Sequence, residues 1–445
     1  MSTPERKTWS SRIGFILASA GAAIGLGAIW KFPYMVGTNG GSAFVFPYLL
    51  LTFTVGLVLL VSEVALGRCG KGGIVTAYRR LGGRLWLPAG YLGVLTGFLV
   101  LSFYSAIGGW TLAYFAESLV GGTVSPDMAS LSAHFERLTA DPVTALGFQW
   151  FFLLLNGLIL ALDVTKGIER ISKLLMPLLF ILMLVLIARG LTLPGAMKGV
   201  EFLFDFRPEA LTTEALLQAM GFTFFSLCVG CGCMLTYGSY LDEKSNLLAG
   251  CGWIAVLGVM ASLLGGLMIM PAVFAFGLDP TAGPGLTFIT MPAVFSQIPF
   301  GQFFAILFYL CIVVAAITSS VSMMEIIVAF LVDEHRFSRP GAAVLSTIAL
   351  AVVGAFPALS FGMLSDVTWR GKTIFDWFDF FTSNLSLPVG GLVILLLAGW
   401  WAWPKTSRTI AGDTPRSARW FAGLRFSMLV VSPLLVLAVL ISGLR

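Results

Sequence analysis

The sequence predicts an all-α polytopic membrane protein built from two inverted halves of five helices each. Of its 445 residues, 58% are hydrophobic and only 11% are charged, whereas soluble domains carry about 25% charge. Apolar stretches long enough to cross a bilayer follow one another along the chain. The first and the sixth of these stretches are interrupted by glycines at corresponding places of the two halves.

Hydropathy predicts eleven transmembrane spans, numbered here in chain order. They lie near residues 13–37, 41–67, 87–119, 145–163, 168–189, 213–240, 246–276, 297–333, 340–360, 373–403 and 420–443. No cleavable signal peptide is expected before the first span. The predicted units are a cytoplasmic segment (1–12), a first inverted repeat (13–189), an extracellular loop (190–212), a second inverted repeat (213–404), and a cytoplasmic loop with span eleven (405–445).

The distribution of basic residues predicts the orientation of the chain. With the N-terminus inside, 19 of the 27 lysines and arginines fall in cytoplasmic segments. The positive-inside rule then predicts a multi-pass protein of the inner (plasma) membrane, with a cytoplasmic N-terminus and an extracytoplasmic C-terminus. Topology accounts for the excess of positive charge, so this charge does not indicate an anionic partner. The lipid bilayer is the expected surrounding of the protein. No nucleic acid and no obligate protein partner are predicted.

The cysteines and histidines argue against a transition-metal site. All six cysteines lie in or beside spans, so no extracellular disulfide framework is expected, and neither of the two histidines lies within a span. Cys228, Cys231 and Cys233 could bind a soft metal or act in redox chemistry. No fourth ligand is evident, however, and buried thiols usually pack as small hydrophobes. Since no nucleophile–base pair and no phosphate loop stand out either, an enzyme is not expected.

Glycines interrupt two spans. Gly21, Gly25 and Gly27 interrupt IGFILASAGAAIGLGAIWKFP (13–33), and Gly230 and Gly232 interrupt SLCVGCGCMLTYG (226–238). A bilayer requires every backbone polar group to be satisfied, so an unwound segment normally lines a cavity that binds ions or polar ligands. Glycines could instead allow close helix packing. Their occurrence in corresponding spans favours a binding site at the membrane midplane, which indicates transport.

Ordered motifs recur along essentially the whole chain. They are WSSRIGFILASAGAAIGLG (9–27), NGGSAFVFPYLL (39–50), EVALGR (63–68), GWTLAYF (109–115), KGIERISK (166–173), TYGSYL (236–241), GLTFITMPAVFSQ (285–297), TSSVSMMEIIVAFLVDE (318–334) and FDWFDFFTSN (375–384). With these motifs the sequence resembles the neurotransmitter:sodium symporter family, in its bacterial eleven-helix amino-acid transporter form. The resemblance implies a five-plus-five inverted-repeat symporter fold. It also implies sodium-driven import of a small amino acid or amine by alternating access.

The resemblance implies one complete sodium site between spans one and eight. Sodium is a hard cation that favours about five oxygen ligands. The implied ligands are the carbonyls of Gly21, Ile24 and Ala315 and the hydroxyls of Thr318 and Ser319. From the residues alone, the span-eight hydroxyls could instead bond back to carbonyls one turn earlier. The broken first span favours the ion site.

The family's second sodium site has lost two ligands here. Ala28 and Leu257 stand at two positions that carry asparagines in the family, which leaves the Ser226 hydroxyl and the Ala23 carbonyl. Too few oxygens remain for a second sodium ion, so we predict one coupled sodium ion and not two.

Chloride dependence is not predicted either. The family's chloride site would use Tyr48 and Ser226, which are present, together with positions now occupied by Leu257 and Ala261. Phe222 replaces a glutamine that is common near this site. The polar ligands of the anion are therefore incomplete.

The resemblance also implies a substrate pocket for a small zwitterion. Tyr104 matches a tyrosine that meets the substrate carboxylate, and Phe225 matches the aromatic residue that covers the pocket. Gly25 stands where amine transporters carry an aspartate, which favours an amino acid whose carboxylate meets the N–H groups of span one. The implied substrate-binding residues are Ala23, Gly25, Gly27, Val100, Tyr104, Phe225, Ser226, Cys228, Cys231, Ser319 and Met323. A substrate without an α-carboxylate (an amine, sulfonate or sulfinate) and an uncoupled channel or receptor are the alternatives.

Charges at the ends of the spans imply two gates. The implied gate residues are Lys31 with Asp379 on the outer side and Arg6 with Asp333 on the inner side, the latter beside Trp9 and Tyr240. Ion pairs at water-accessible ends are individually weak, which suits contacts that break in every cycle. The same residues could instead be solvated charges without partners.

Glu63 and Glu325 are carboxylates inside predicted spans, where charge is expensive. Glu63 and Glu325 are expected to brace the broken helices or helix ends by accepting backbone N–H bonds. Glu325 could alternatively carry a proton.

Overall fold

The structure, a computed structural model, describes residues 8–281, 285–412 and 418–443. Within these ranges the chain is helical, and the only β-type contact is an isolated bridge between Trp369 and Lys372. The helices are α1 (Arg12–Ala23), α2 (Gly27–Thr38), α3 (Ser42–Gly70), α4 (Ile74–Gly82), α5 (Arg84–Val120), α6 (Met128–Ala140), α7 (Pro142–Ala161), α8 (Thr165–Leu191), α9 (Met197–Phe204), α10 (Thr213–Ser226), α11 (Cys233–Gly238), α12 (Leu247–Ala275), α13 (Leu286–Ser296), α14 (Gly301–His335), α15 (Arg339–Leu359), α16 (Ile374–Trp401), α17 (Trp403–Ala411) and α18 (Arg419–Gly443). The predicted all-α class is confirmed.

The helices reproduce the predicted order of membrane spans. In the described part of the chain, nine helices are long and apolar enough to cross a membrane, and α1 with α2 makes a tenth if this bent pair is one span. These ten lie at the predicted spans one to five and seven to eleven. α10 and α11 lie at the sixth, but the non-helical residues 227–232 separate them. The count of eleven therefore stays a prediction, as do the boundaries of the repeats.

Both predicted interruptions are present. The axis bends by 46° between α1 and α2, where Ile24 leaves helical geometry with φ −95° and ψ 64°. Between α10 and α11, Cys228, Gly230 and Gly232 adopt positive φ angles of 53°, 100° and 85°. Glycine adopts such angles without a steric penalty, which explains its presence at positions 230 and 232.

Continuous helices surround the two broken ones. The long helices α5 and α14 pack against each other, and α7 and α15 pack on both of them. α1 packs against α8, α12 and α14, whereas α11 packs against α3. The interruptions therefore lie inside the bundle, enclosed by unbroken helices.

Two glycines allow the backbones of α3 and α11 to approach closely. A Cβ atom on Gly67 would lie 1.9 Å from the carbonyl oxygen of Leu235, and one on Gly238 would lie 2.5 Å from the carbonyl oxygen of Val64. Because both obstructing atoms belong to the backbone, no side-chain rotation could make room. Small residues are the usual solution where membrane helices cross this closely.

We predict that Gly67→Ala lowers the stability of the protein by about 1–3 kcal/mol, the usual cost of overpacking a core. The matched control is Gly252→Ala in α12, where a new Cβ atom would meet no heavy atom within 4 Å. That substitution should be neutral or stabilise the protein by up to about 1 kcal/mol. Thermal unfolding in detergent measures both. Equal melting temperatures for the two variants would contradict the close α3–α11 crossing.

Candidate functional site

The interruption between α1 and α2 is held from α5 by Tyr104. The backbone N–H of Leu26 donates to the Tyr104 hydroxyl at 3.1 Å, and Tyr104 is buried. This N–H has no helical partner because the helix is broken here. A buried donor without a partner would be destabilising by several kcal/mol. Tyr104 thus satisfies the interruption from a continuous helix.

Ser319 of α14 approaches the same interruption from another side. Its hydroxyl donates to the Ala22 carbonyl at 3.1 Å and so links α14 to α1. A Cβ atom on Gly25 would lie 2.5 Å from the Ser319 Oγ and 3.0 Å from the Tyr104 hydroxyl. Any larger residue at position 25 would push these helices apart.

The residues implied as sodium ligands lie around this contact. Gly21 faces Thr318, since a Cβ atom on Gly21 would lie 3.3 Å from the Thr318 Cβ. The Thr318 hydroxyl is 3.1 Å from the carbonyls of both Val314 and Ala315, which is the back-bonded arrangement left open above. Ile24 lies at the break itself. The Ser319 hydroxyl and the Ala22 carbonyl thus meet between α1 and α14, and hydroxyl and carbonyl oxygens are ligands that suit a hard monovalent cation.

Glu63 braces the interruption between α10 and α11. Its carboxylate is fully buried and accepts the backbone N–H of Gly230 at 2.9 Å and that of Leu235 at 3.4 Å. Hydrogen bonds from several N–H groups compensate for the burial of a carboxylate. The predicted bracing role of Glu63 is confirmed.

Apolar side chains lie beside these interruptions. A Cβ atom on Gly27 would lie 2.8 Å from Cε1 of Phe225, so this ring lies directly against α2. Val100 lies one helical turn before Tyr104 on α5, and Met323 lies one turn after Ser319 on α14, so each shares a helix face with its polar neighbour. Both are buried.

The three cysteines of the unwound segment pack as thiols. Cys228 and Cys231 are buried, and the Cys231 thiol is 4.0 Å from the Cys228 carbonyl. The Cys233 thiol is 3.7 Å from the Ser322 carbonyl. All six cysteines are described and free. Within the described ranges, no group of three or more His, Cys, Asp or Glu side chains could hold a metal ion.

Two other implied pocket residues face the side of α12. A Cβ atom on Gly258 would lie 3.9 Å from the Ala23 methyl carbon and 3.9 Å from a methyl carbon of Leu227. The Ser226 hydroxyl donates to the Thr223 carbonyl at 3.2 Å. This part of the site is therefore mainly apolar.

The outer ion pair implied for Lys31 and Asp379 is not formed among the described residues. The Lys31 ammonium instead lies 4.4 Å from the centroid of the Phe225 ring, where a cation–π contact is favourable. The Asp379 carboxylate accepts the Ser383 hydroxyl one turn along its own helix at 2.8 Å. The pairing of these two charges as an outer gate therefore stays a prediction.

Aromatic residues pack at the end of the site where the inner gate is expected. The Trp9 backbone N–H donates to the Tyr240 carbonyl at 3.0 Å, and the Trp9 indole donates to the Tyr237 carbonyl at 3.0 Å. Trp9 and Tyr240 also pack edge to face, with ring centroids 6.0 Å apart. The Asp333 carboxylate accepts the Gly73 N–H at 2.6 Å. Arg6, its implied gate partner, lies outside the described residues.

Glu325 does not have the partners predicted for it. Its carboxylate accepts the Tyr240 hydroxyl at 2.6 Å and two guanidinium N–H groups of Arg339 at 3.0 and 2.6 Å. Arg339 also donates to the Leu162 carbonyl at 2.7 Å. Side chains rather than backbone N–H groups therefore compensate the buried charge. Sequence reasoning missed Arg339, although a basic residue just beyond a span that carries an internal glutamate is a usable signal.

Sequence reasoning also missed Glu169 at the start of α8. Its carboxylate accepts the Ser10 N–H at 2.8 Å, the Ser10 hydroxyl at 2.5 Å and the Ser11 hydroxyl at 3.1 Å. Lys173 pairs with the same carboxylate at 2.7 Å. The residues just before α1 are thus anchored to α8.

Comparison with known proteins assigns the family. The model of the sodium:neurotransmitter symporter family matches residues 6–124 and 144–445. The chain belongs to this family. Its members are sodium-dependent transporters and not enzymes.

Individual members of the sodium:neurotransmitter symporter family are similar over nearly the whole chain. The uncharacterized sodium-dependent transporter YhdH of Bacillus subtilis is 44% identical over 89% of this chain and 88% of its own length. An uncharacterized sodium-dependent transporter of Haemophilus influenzae is 32% identical over 99% of this chain and 98% of its own length. The crystal structure of MhsT in complex with L-phenylalanine superposes with a TM-score of 0.91 at 38% identity, covering 99% of this chain and 100% of MhsT. The predicted symporter fold is confirmed.

We predict that Glu63→Gln destabilises the protein by about 1–3 kcal/mol, because one carboxylate oxygen becomes an NH₂ group facing backbone donors. Glu117→Gln is the control, since Glu117 pairs with His134 at the partly exposed end of α5. Thermal unfolding in detergent compares the two variants. A Glu63→Gln protein as stable as the control would show that the unwound segment does not depend on this brace.

Proposed function

We propose that this protein is a sodium-coupled symporter that imports a small amino acid, with one sodium ion per substrate and without chloride. The observation that carries the proposal is the contact of Ser319 and Thr318 with the interruption between α1 and α2. Family membership supports sodium-driven transport, and the L-phenylalanine bound to MhsT supports an amino-acid substrate.

The proposed sodium ligands join α1 to α14. They are the carbonyls of Gly21, Ile24 and Ala315 and the hydroxyls of Thr318 and Ser319. In the structure both hydroxyls donate to backbone carbonyls, two of which (Ala22 and Ala315) belong to the same contact. A bound cation would turn the hydroxyl lone pairs inward and tie the broken helix to α14. Sodium would thereby stabilise the arrangement that also receives the substrate.

One sodium ion is proposed because the second position offers few oxygens. Ala28 and Leu257 provide no side-chain oxygen, and the Ser226 hydroxyl already donates to the Thr223 carbonyl. One ion is enough for accumulation. At about 100 mV the entering charge contributes ~2.3 kcal/mol. A tenfold sodium gradient adds ~1.4 kcal/mol, so a zwitterion can be concentrated roughly 500-fold.

Chloride independence is supported by the surroundings of Tyr48. Its hydroxyl is 3.1 Å from that of Ser262, and both groups are buried. The rings of Phe222 and Phe32 lie 5.1 and 5.5 Å from the Tyr48 ring, centroid to centroid. Aromatic faces are electron-rich and do not replace hydrogen-bond donors for an anion. Ala261 contributes no donor.

The proposed substrate lies between the two interruptions. Its carboxylate would face Tyr104 and the N-terminus of α2, where free N–H groups and the helix dipole favour an anion. An apolar side chain would extend toward Val100, Met323 and the cysteines 228 and 231, with Phe225 covering the pocket.

Alternating access would use the two ends of the site. Trp9, Tyr240 and Asp333 are proposed as the inner gate together with Arg6. Lys31 and Asp379 are proposed as the outer gate, with Lys31 leaving Phe225 when the pair forms. The proposed location is the plasma membrane, with the N-terminus in the cytoplasm.

One prediction of this proposal concerns the sodium ligands. Ser319→Ala should raise the sodium concentration for half-maximal uptake by about 10- to 100-fold, because a hydrogen-bonding group that serves a charge contributes ~1.5–3 kcal/mol. Its neighbour Ser320 donates to Asn156 at 2.6 Å and faces away from α1, so Ser320→Ala should change that concentration less than about threefold. ²²Na⁺ uptake into proteoliposomes measures both. Equal effects would remove Ser319 from the ion site.

Another prediction of this proposal concerns the sodium stoichiometry and the substrate class. Substrate-stimulated ²²Na⁺ uptake should show a sodium Hill coefficient near one and should not change when gluconate replaces chloride. A thermal-shift screen should respond to neutral α-amino acids only when sodium is present. A Hill coefficient near two would contradict the single ion. A response to sulfonates alone would replace the amino-acid substrate by one without an α-carboxylate.

A further inference from the structure

The start of α4 is tied to the inner end of α14. The N–H of Gly73, the residue before α4, donates to the Asp333 carboxylate at 2.6 Å. The Thr76 hydroxyl and the Arg79 guanidinium both donate to Glu334, the next residue of α14. The start of α4 is therefore expected to move together with the end of α14, which carries Asp333 of the proposed inner gate.

The first residue of α4 reaches the unwound segment between α10 and α11. Ile74 is buried, and a Cβ atom on Gly232 would lie 2.4 Å from its Cδ1 atom. A Cβ atom on Gly93 of α5 would also lie 2.4 Å from Cδ1, and 3.3 Å from the Cys231 carbonyl oxygen. The Ile74 side chain thus fits between α5 and the unwound segment because both neighbours are glycines.

The unwound segment therefore has two supports of different kinds. Glu63 holds Gly230 through a hydrogen bond from α3. Ile74 holds Gly232 through apolar contact. Of the two supports, only Ile74 directly follows Gly73, the residue whose N–H is hydrogen-bonded to Asp333. The unwound segment held by these supports carries Cys228 and Cys231, both implied as pocket residues.

We propose that Ile74 is a positioning residue that couples the inner gate to the substrate pocket. Movement of Asp333 would pull Gly73 and withdraw Ile74 from Gly232. The unwound segment would then relax, and the pocket would loosen as the inner gate opens. Because such coupling is reciprocal, an occupied pocket would hold Ile74 in place and favour the closed gate. The inference rests on the proposed function for the alternation of the gates.

Two pairs of variants separate this coupling from simple packing. Ile74→Ala removes the contact with Gly232, whereas Val75→Ala removes a buried side chain of the same helix that contacts Gly90 instead. Gly73→Pro removes the N–H that Asp333 accepts, at a φ of −58° that suits proline. Gly73→Ala keeps that N–H.

The measurement is alkylation of the native cysteines of full-length protein by N-ethylmaleimide, read site by site by mass spectrometry. Ile74→Ala should accelerate alkylation of Cys228 and Cys231 about tenfold, which corresponds to ~1.4 kcal/mol in the opening equilibrium. Cys311, buried on α14, should not change. Val75→Ala and Gly73→Ala should stay near wild type, and Ile74→Met should restore the slow rate.

Gly73→Pro decides between coupling and packing, since it leaves the Ile74 side chain intact. It should accelerate alkylation as Ile74→Ala does, and the double variant should be no faster than the faster single one, because both act on one connection. Wild-type rates in Gly73→Pro, or equal rates in Ile74→Ala and Val75→Ala, would overturn the proposal. Ile74→Val, which removes only Cδ1, replaces Ile74→Ala if that variant does not fold.

Sodium separates failure of this inference from failure of the proposed function. All rates are measured in choline chloride and in sodium chloride. Protection of Cys228 and Cys231 by sodium in the wild type tests the proposed symport. The ratios of the alkylation rates between variants, measured in choline chloride, test the connection through Ile74. These ratios do not depend on sodium binding.

Discussion

The structure depends on how unwound backbone is satisfied inside a membrane. Water is absent there, so each N–H freed by a broken helix needs a partner from the protein. Tyr104 supplies it at Leu26, and Glu63 supplies it at Gly230 and Leu235. Both partners lie on continuous helices. The two interruptions can therefore persist without water, and a pocket with free polar groups can form between them.

A second group of contacts lies at the end of the site where the inner gate is proposed. Glu325 is fully buried, and its charge is compensated by Tyr240 and by two N–H groups of Arg339. Trp9 covers the same end through hydrogen bonds to backbone carbonyls. A buried carboxylate is stable only while its partners are in place, so removal of one partner is costly. Opening of the inner end therefore requires these groups to separate in a concerted way.

Local pattern predicted a large part of the fold and of the site. Hydropathy located the spans, and Gly230 and Gly232 marked an interruption, because both signals are read from a few neighbouring residues. The partner of Glu63 was predicted as a class, backbone N–H groups, since a carboxylate inside a membrane has few other options. The pairing of Lys31 with Asp379 stays a prediction, and in this structure the Lys31 ammonium lies 4.4 Å from the centroid of the Phe225 ring.

The sequence by itself determined that this chain crosses a membrane, where its helices break and which family it belongs to. Composition, glycine placement and motif order carry this information along the chain. Only the tertiary structure decided that Arg339 compensates Glu325, that Glu169 anchors Ser10 and that Ile74 supports Gly232. These contacts depend on the crossing of helices that are distant in sequence. A buried charge or methyl group contacts the group that the helix crossing places next to it.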